Sequence, residues 1–168
     1  TGRTRDIGLS ASGGSETVQF HFSGGYRTDL GSAKMPDIDQ KLVREALGRP
    51  LPRWMVRPDA KTTASFTGRI TGRFSEALDY SITTGFIQLD GRTGPDGVMD
   101  AVNDLRSAAD TFELSNGWRE FFVERPHRAN RFTGGLALDW HPVPWFSGRA
   151  AFGRDYVFTN QGEIRRRG

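Results

Sequence analysis

Six stretches of the chain alternate apolar and polar residues with a period of two. Thr4–Ala11 places Ile7, Leu9 and Ala11 on one side and Asp6, Gly8 and Ser10 on the other. In Glu16–Tyr26, Val18, Phe20, Phe22 and Tyr26 oppose Gln19, His21 and Ser23. In Thr62–Phe74, Ala64, Phe66, Gly68, Ile70 and Phe74 oppose Thr63, Ser65, Thr67, Arg69, Thr71 and Arg73. Leu78–Leu89 sets Leu78, Tyr80, Ile82 and Phe86 against Asp79, Ser81 and Thr83. Arg131–His141 sets Phe132, Leu136, Leu138 and Trp140 against Arg131, Thr133 and Asp139. Trp145–Val157 sets Phe146, Ala150, Phe152 and Tyr156 against Ser147, Arg149 and Asp155. Such alternation describes strands with one face in apolar and one in polar surroundings. The six are roughly 8–13 residues long. That exceeds the usual ~5–6 and reaches the ~9–11 that cross a bilayer at a tilt.

The connections sort into two kinds. Ser12-Gly13-Gly14-Ser15, Ser75-Glu76-Ala77 and Pro142-Val143-Pro144 read as short turns, rich in residues that break a ladder. Residues 27–59 and 90–128 form long connections. Short and long alternate strictly, so an antiparallel up-and-down meander gathers every short turn at one end. Outer-membrane barrels have that asymmetry, with short periplasmic turns and long external loops. Within the long connections, Asp37–Leu47 carries Ile38, Leu42, Val43 and Leu47 near helical spacing, stopped by Gly48 and Pro50. Met99–Phe112 is a second helix candidate, after the Gly94-Pro95-Asp96-Gly97 turn.

Composition narrows the classes. Gly is 21 of 168 residues and Phe 12, which favours β-structure over a helix bundle. The 23 basic and 20 acidic residues leave a net charge of +3, too small a field to argue for nucleic acid. The absence of Cys excludes disulfides, Cys-ligated zinc, iron–sulfur clusters and thiol catalysis. No apolar run approaches the ~18 residues of a membrane helix, which leaves strands as the only way across a bilayer. No signal peptide opens the chain. Residue 1 is Thr, so a processed chain or a fragment is expected. Six strands are fewer than the about eight that close a membrane barrel. On the membrane reading the chain is therefore a piece of a larger barrel.

Three stretches resemble the TonB-linked outer-membrane receptors of the SusC/RagA type. Leu9–Tyr26, LSASGGSETVQFHFSGGY, resembles a hairpin common early in that barrel. The third and fourth strands, ending Thr84-Gly85-Phe86, resemble the next. Arg131–Phe146, RFTGGLALDWHPVPWF, followed by Gly153-Arg154-Asp155-Tyr156, resembles a third. The resemblance covers most of the strand-forming chain and little of the loops. It implies a large barrel of about 22 strands around an N-terminal plug. It also implies energy from the inner membrane through TonB, a SusD-like surface lipoprotein over the mouth, and oligosaccharide or peptide substrates. The plug and the TonB-contacting segment have no counterpart in these 168 residues.

Candidate residues follow from the faces. Trp140, Trp145 and Phe146 flank a short turn and are expected to form a membrane-interface aromatic girdle, with ordinary sheet packing as the alternative. Arg69, Arg73, Arg131 and Arg149 lie on the polar side and are expected to face a lumen. Arg154 shares parity with Phe152 and Tyr156 and is expected beyond the hydrocarbon band, near headgroups. Trp54, Trp118, Phe121 and Phe122 lie in the long loops, where aromatic faces could stack on substrate or pack the loops together. His21, His127 and His141 are too scattered for a metal site. Asp96, Asp100, Asn103 and Asp104 form an acidic patch at the start of the second helix candidate, without EF-hand spacing. Arg165-Arg166-Arg167 is a basic run. No nucleophile motif or phosphate loop is present, so no enzyme and no cofactor are expected.

The sequence thus predicts an all-β meander of about six long strands, part of a transmembrane barrel wall. Its hairpins lie at about 4–26, 62–89 and 131–157, and the plug is absent from residues 1–168. The expected function is nutrient import across the outer membrane of a Gram-negative bacterium. A secreted β-sandwich that binds glycans and a segment of a passive porin are the alternatives.

Overall fold

The structure is a computed structural model that describes residues 2–93 and 123–165. Its strands are β1 (Arg3–Gly14), β2 (Val18–Leu30), β3 (Ala60–Ser75), β4 (Leu78–Thr93), β5 (Val123–Val143), β6 (Phe146–Gln161) and β7 (Ile164–Arg165). Two helices, α1 (Asp37–Leu47) and α2 (Arg53–Val56), lie between β2 and β3. β1 to β6 form one antiparallel up-and-down sheet in sequence order, and the sheet does not close. β7 pairs with β5, prolonging β6 past a break at Gly162 and Glu163.

The register joins the six alternating patterns into one mainly apolar and one mainly polar face. One row runs Phe20, Ile70, Ile82, Leu136, Phe152 across β2 to β6. Another runs Leu9, Gly24, Phe66, Phe86, Phe132, Tyr156 across β1 to β6. A slip of one residue in any strand would send its apolar set to the opposite face. Aromatic rings lie over glycines on the apolar side. A Cβ at Gly68 would stand 2.9 Å from the Phe22 ring, and one at Gly72 within 2.7 Å of the Tyr80 ring carbon Cζ. The rings so gain contact area and cover backbone that the glycines leave bare.

The strands outrun the alternating patterns. β5 begins at Val123 rather than Arg131, and β4 runs on to Thr93 rather than Leu89. Residues 123–130 carry no alternation, but their backbone continues the ladder with β4, from Arg125 opposite Thr93 to Asn130 opposite Gln88. The first long connection shrinks to residues 31–59, because β2 extends to Leu30 and β3 starts at Ala60.

The turns differ in detail too. β1 continues through Gly14, and the turn is Ser15 to Thr17, so Glu16 belongs to the turn rather than to the second strand. Ser15 Oγ accepts from the N–H groups of Thr17 and Val18 at 3.3 and 3.2 Å, which fixes the bend. Between β3 and β4, Glu76 and Ala77 make the turn, and a register shift lies between Arg73 and Ser75. Between β5 and β6 the turn is Pro144-Trp145 rather than Pro142–Pro144. Pro142 stays in the strand because the register shifts between Trp140 and Val143, and a bulge tolerates a residue without an N–H.

α1 spans the predicted residues. Gly48 ends it in the left-handed conformation at φ 61°, its N–H donating to the Arg44 carbonyl at 3.0 Å. The other helix candidate, Met99–Phe112, lies outside the described residues. The small core is built in this connection, where Met35, Val43 and Met55 are buried. The Gly31 N–H to Asp59 carbonyl bond at 3.0 Å and the Met35 N–H to Val56 carbonyl bond at 2.9 Å close the connection on itself. No helix among the described residues is long and apolar enough to cross a membrane, which bears only on helices.

Candidate functional site

The apolar face of the sheet is the largest unusual surface. Leu9 is 79% exposed, Phe152 73% and Trp145 83%, and Phe66, Phe86, Phe132 and Tyr156 are exposed as well. A water-soluble monomer rarely exposes a contiguous apolar patch beyond a few hundred Å². Here such residues recur on all six long strands, and no second layer covers them among the described residues.

At the short-turn end the apolar face closes in an aromatic cluster. Trp140 and Phe146 meet edge to face at 5.7 Å, and Trp145 lies against Phe146 at 6.1 Å. These are the three residues singled out in the sequence, now in one group. The indole N–H groups of Trp140 and Trp145 let those rings sit where apolar surroundings meet water.

The opposite face is polar and locally neutral. Arg69, Arg73, Arg131 and Arg149 all lie on it, as their parity predicts. Arg73, Asp79, Asp139 and Arg149 are successive partners across β3 to β6. Arg73 Nε donates to Asp79 Oδ1 at 3.4 Å, and Arg149 Nε stands 3.7 Å from Asp139 Oδ1. His141 Nε2 lies 3.8 Å from Asp79 Oδ2. Arg131 makes a two-pronged pair with Asp155, its Nε donating to Oδ1 at 3.1 Å. Arg69 stands between His21 and Thr83. Hydroxyls fill the middle, where Ser23 and Thr67 share a hydrogen bond of 2.6 Å. The face presents water or a polar partner with hydrogen-bonding groups whose charges are largely matched. Sequence reasoning marked the arginines but not Asp79, Asp139 and Asp155 as their partners, although equal parity was the available signal.

Arg154 lies on the apolar face, opposite Gly134. Exposed aromatic residues continue on both sides of it, Phe152 toward the turn and Tyr156 and Phe158 toward the long loops. The apolar run of β6 therefore extends past Arg154 instead of ending before it.

The loop-end candidates divide. Trp54 is half-buried in α2 and engaged by neighbouring groups. Trp118, Phe121 and Phe122, and the acidic patch at Asp96, Asp100, Asn103 and Asp104, lie outside the described residues. At the same end the carboxyl of Asp37 is held below its ordinary value by the hydrogen bond from Lys34 at 2.7 Å and by that ammonium's charge. Among the described residues no cluster of three or more His, Cys, Asp or Glu could hold a metal ion.

No protein-family model matches the chain, and no curated protein matches it significantly.

Proposed function

We propose that this chain is barrel wall of a TonB-dependent outer-membrane importer of the SusC/RagA type, taking up oligosaccharides or peptides. The observation that carries the reading is the exposed apolar face, continuous over six strands and backed by a polar face of the opposite parity. The height of the apolar run supports it. From Leu78 to Phe86 the chain rises about 27 Å at ~3.4 Å per residue. At a tilt of ~40° this is about 21 Å across the bilayer, against an apolar band of about 25 Å in outer-membrane barrels. The aromatic cluster at Trp140, Trp145 and Phe146 fits the girdle at the periplasmic rim.

In this role the protein does no bond chemistry. The outward face supplies apolar surface to lipid, and the inward arginine–aspartate pairs supply a wall that polar cargo and a plug can slide along. Capture belongs to the long loops, with Trp54, Trp118, Phe121 and Phe122 as stacking candidates and a surface lipoprotein as lid. The release step belongs to the plug and TonB.

Uptake by cells tests the proposal. Loss of the protein should abolish uptake of a labelled oligosaccharide or peptide mixture, and collapse of the inner-membrane proton gradient should do the same to wild-type cells. Uptake that persists without the gradient would point to a passive pore. Recovery of the protein from the medium, with uptake unchanged by its loss, would point to a secreted glycan-binding module.

A further inference from the structure

The outward side of the sheet finishes differently at its two ends. Beyond the apolar rows toward the long loops, Arg5, Thr28, Thr62, Asp90, Arg128 and Asn160 form one row across β1 to β6. Arg3, Leu30, Ala60, Arg92 and Pro126 form the next. In these two rows the four arginines face a single acid, Asp90. At the turn end the outward row of Leu78, Trp140 and Gly148 carries no charge. The first two short turns there carry Glu16 and Glu76, both exposed. The basic rim is therefore one-sided.

Within that rim the arginines differ. Arg128 is held by Asp90, and Arg92 donates to the Arg57 carbonyl at 3.3 Å. Arg3 and Arg5 are exposed and form no ion pair or side-chain hydrogen bond among the described residues. They share one side of β1, two residues and so about 7 Å apart along the strand. The same side continues through Ile7, Leu9 and Ala11, all exposed. Two cations followed by three apolar residues repeat, along one strand, the order of an anionic lipid: charged headgroup first, hydrocarbon after.

We infer that Arg3 and Arg5 form a docking face for the phosphate of an anionic membrane lipid whose chains lie over Ile7 and Leu9. The inference rests on the reading of the outward face as lipid-facing, and adds to it the headgroup chemistry of the leaflet at the long-loop end. A guanidinium fork gives phosphate oxygens two parallel donors and keeps its charge at every physiological pH. A soluble anion would meet the charges and leave Ile7 and Leu9 bare, whereas an amphiphile meets both. Leu9 also belongs to a row that continues through Phe66, Phe86 and Phe132 to Tyr156. Whatever covers it extends over the whole sheet, as a lipid leaflet does.

The test uses the intact protein. Flotation with phosphatidylcholine vesicles first reads insertion. The protein in maltoside detergent is then offered equal amounts of phosphatidic acid and phosphatidylcholine, and retained lipids are counted by native mass spectrometry. Wild type should retain phosphatidic acid in preference. Arg3→Gln and Arg5→Gln should each weaken that retention about fivefold, the effect of one basic residue at an anionic surface. The double variant should hold one phosphatidic acid fewer than wild type. Arg69→Gln removes the same charge from the opposite face and should retain lipid as wild type does. Both test positions are exposed on an outer strand, so the fold does not depend on them. Insertion with equal retention of the two lipids overturns this inference and leaves the membrane reading intact. Failure to insert overturns both. The inference also falls if the double variant keeps all its phosphatidic acid, if Arg69→Gln loses as much, or if an equal concentration of inorganic phosphate displaces the lipid.

Discussion

Gly13 and Gly14 are neighbours of the same type held in place by different physics. A Cβ on Gly13 would press into the Phe20 ring at 2.9 Å, so this glycine makes room for an aromatic side chain. Gly14 has φ 155°, and a Cβ there would run into the Val18 carbonyl oxygen and stand 2.7 Å from Gln19 Cα. Backbone cannot yield as a ring can. Gly14→Ala should therefore lower the unfolding free energy by more than about 1 kcal/mol. Gly8→Ala should change it by less than about 0.5 kcal/mol, since its Cβ would meet only the Gly24 carbonyl at 3.8 Å. Denaturant unfolding of the two variants in one detergent gives the comparison. The sequence SGGS announces a turn but does not say which glycine bends. That depends on where the partner strand ends, which is a long-range fact.

At the scale of elements, alternation located all six long strands, because a sheet with one apolar face must repeat every two residues. It could not locate their ends. Beyond the apolar rows the alternation of β4 and β5 breaks down, and the backbone of Arg125 to Asn130 stays paired without a periodic side-chain signal. The end of α1 was legible because Gly48 supplies a local stop. The contact of Arg92 with the Arg57 carbonyl was not legible at all. It joins the end of β4 to the residue after α2 through one backbone oxygen. Strand β6 carries its own test. Arg154 faces outward between Phe152 and Tyr156, with only Gly134 across from it, so its long stem has room to lie along the sheet. If it carries its charge toward the long-loop end, its cost in a bilayer is that of an interfacial arginine, about 0–1 kcal/mol, and not the ~2–4 kcal/mol of the midplane. Arg154→Leu should then stabilise the membrane-inserted protein by less than about 1 kcal/mol. A gain of ~2–4 kcal/mol would place the charge at mid-depth.

For the whole molecule, what the outward residues touch decides between membrane and protein surroundings. Ile82, Phe86, Phe132 and Leu136 are exposed, and either lipid or a second protein layer must cover them. The chain has no cysteine, so single cysteines can be placed in it for spin labelling once any cysteine elsewhere in the intact protein is replaced by serine. The decisive measurement labels successive positions from Leu78 to Phe86 in the intact, membrane-embedded protein. It compares relaxation by oxygen, which concentrates in lipid, with relaxation by a water-soluble nickel chelate. A barrel wall predicts oxygen accessibility that alternates with period two, high at Tyr80, Ile82, Thr84 and Phe86, with nickel excluded from the same positions. If those four positions were instead shielded from both reagents, or open to nickel, this face would be covered by protein or by water, and the membrane account would be wrong.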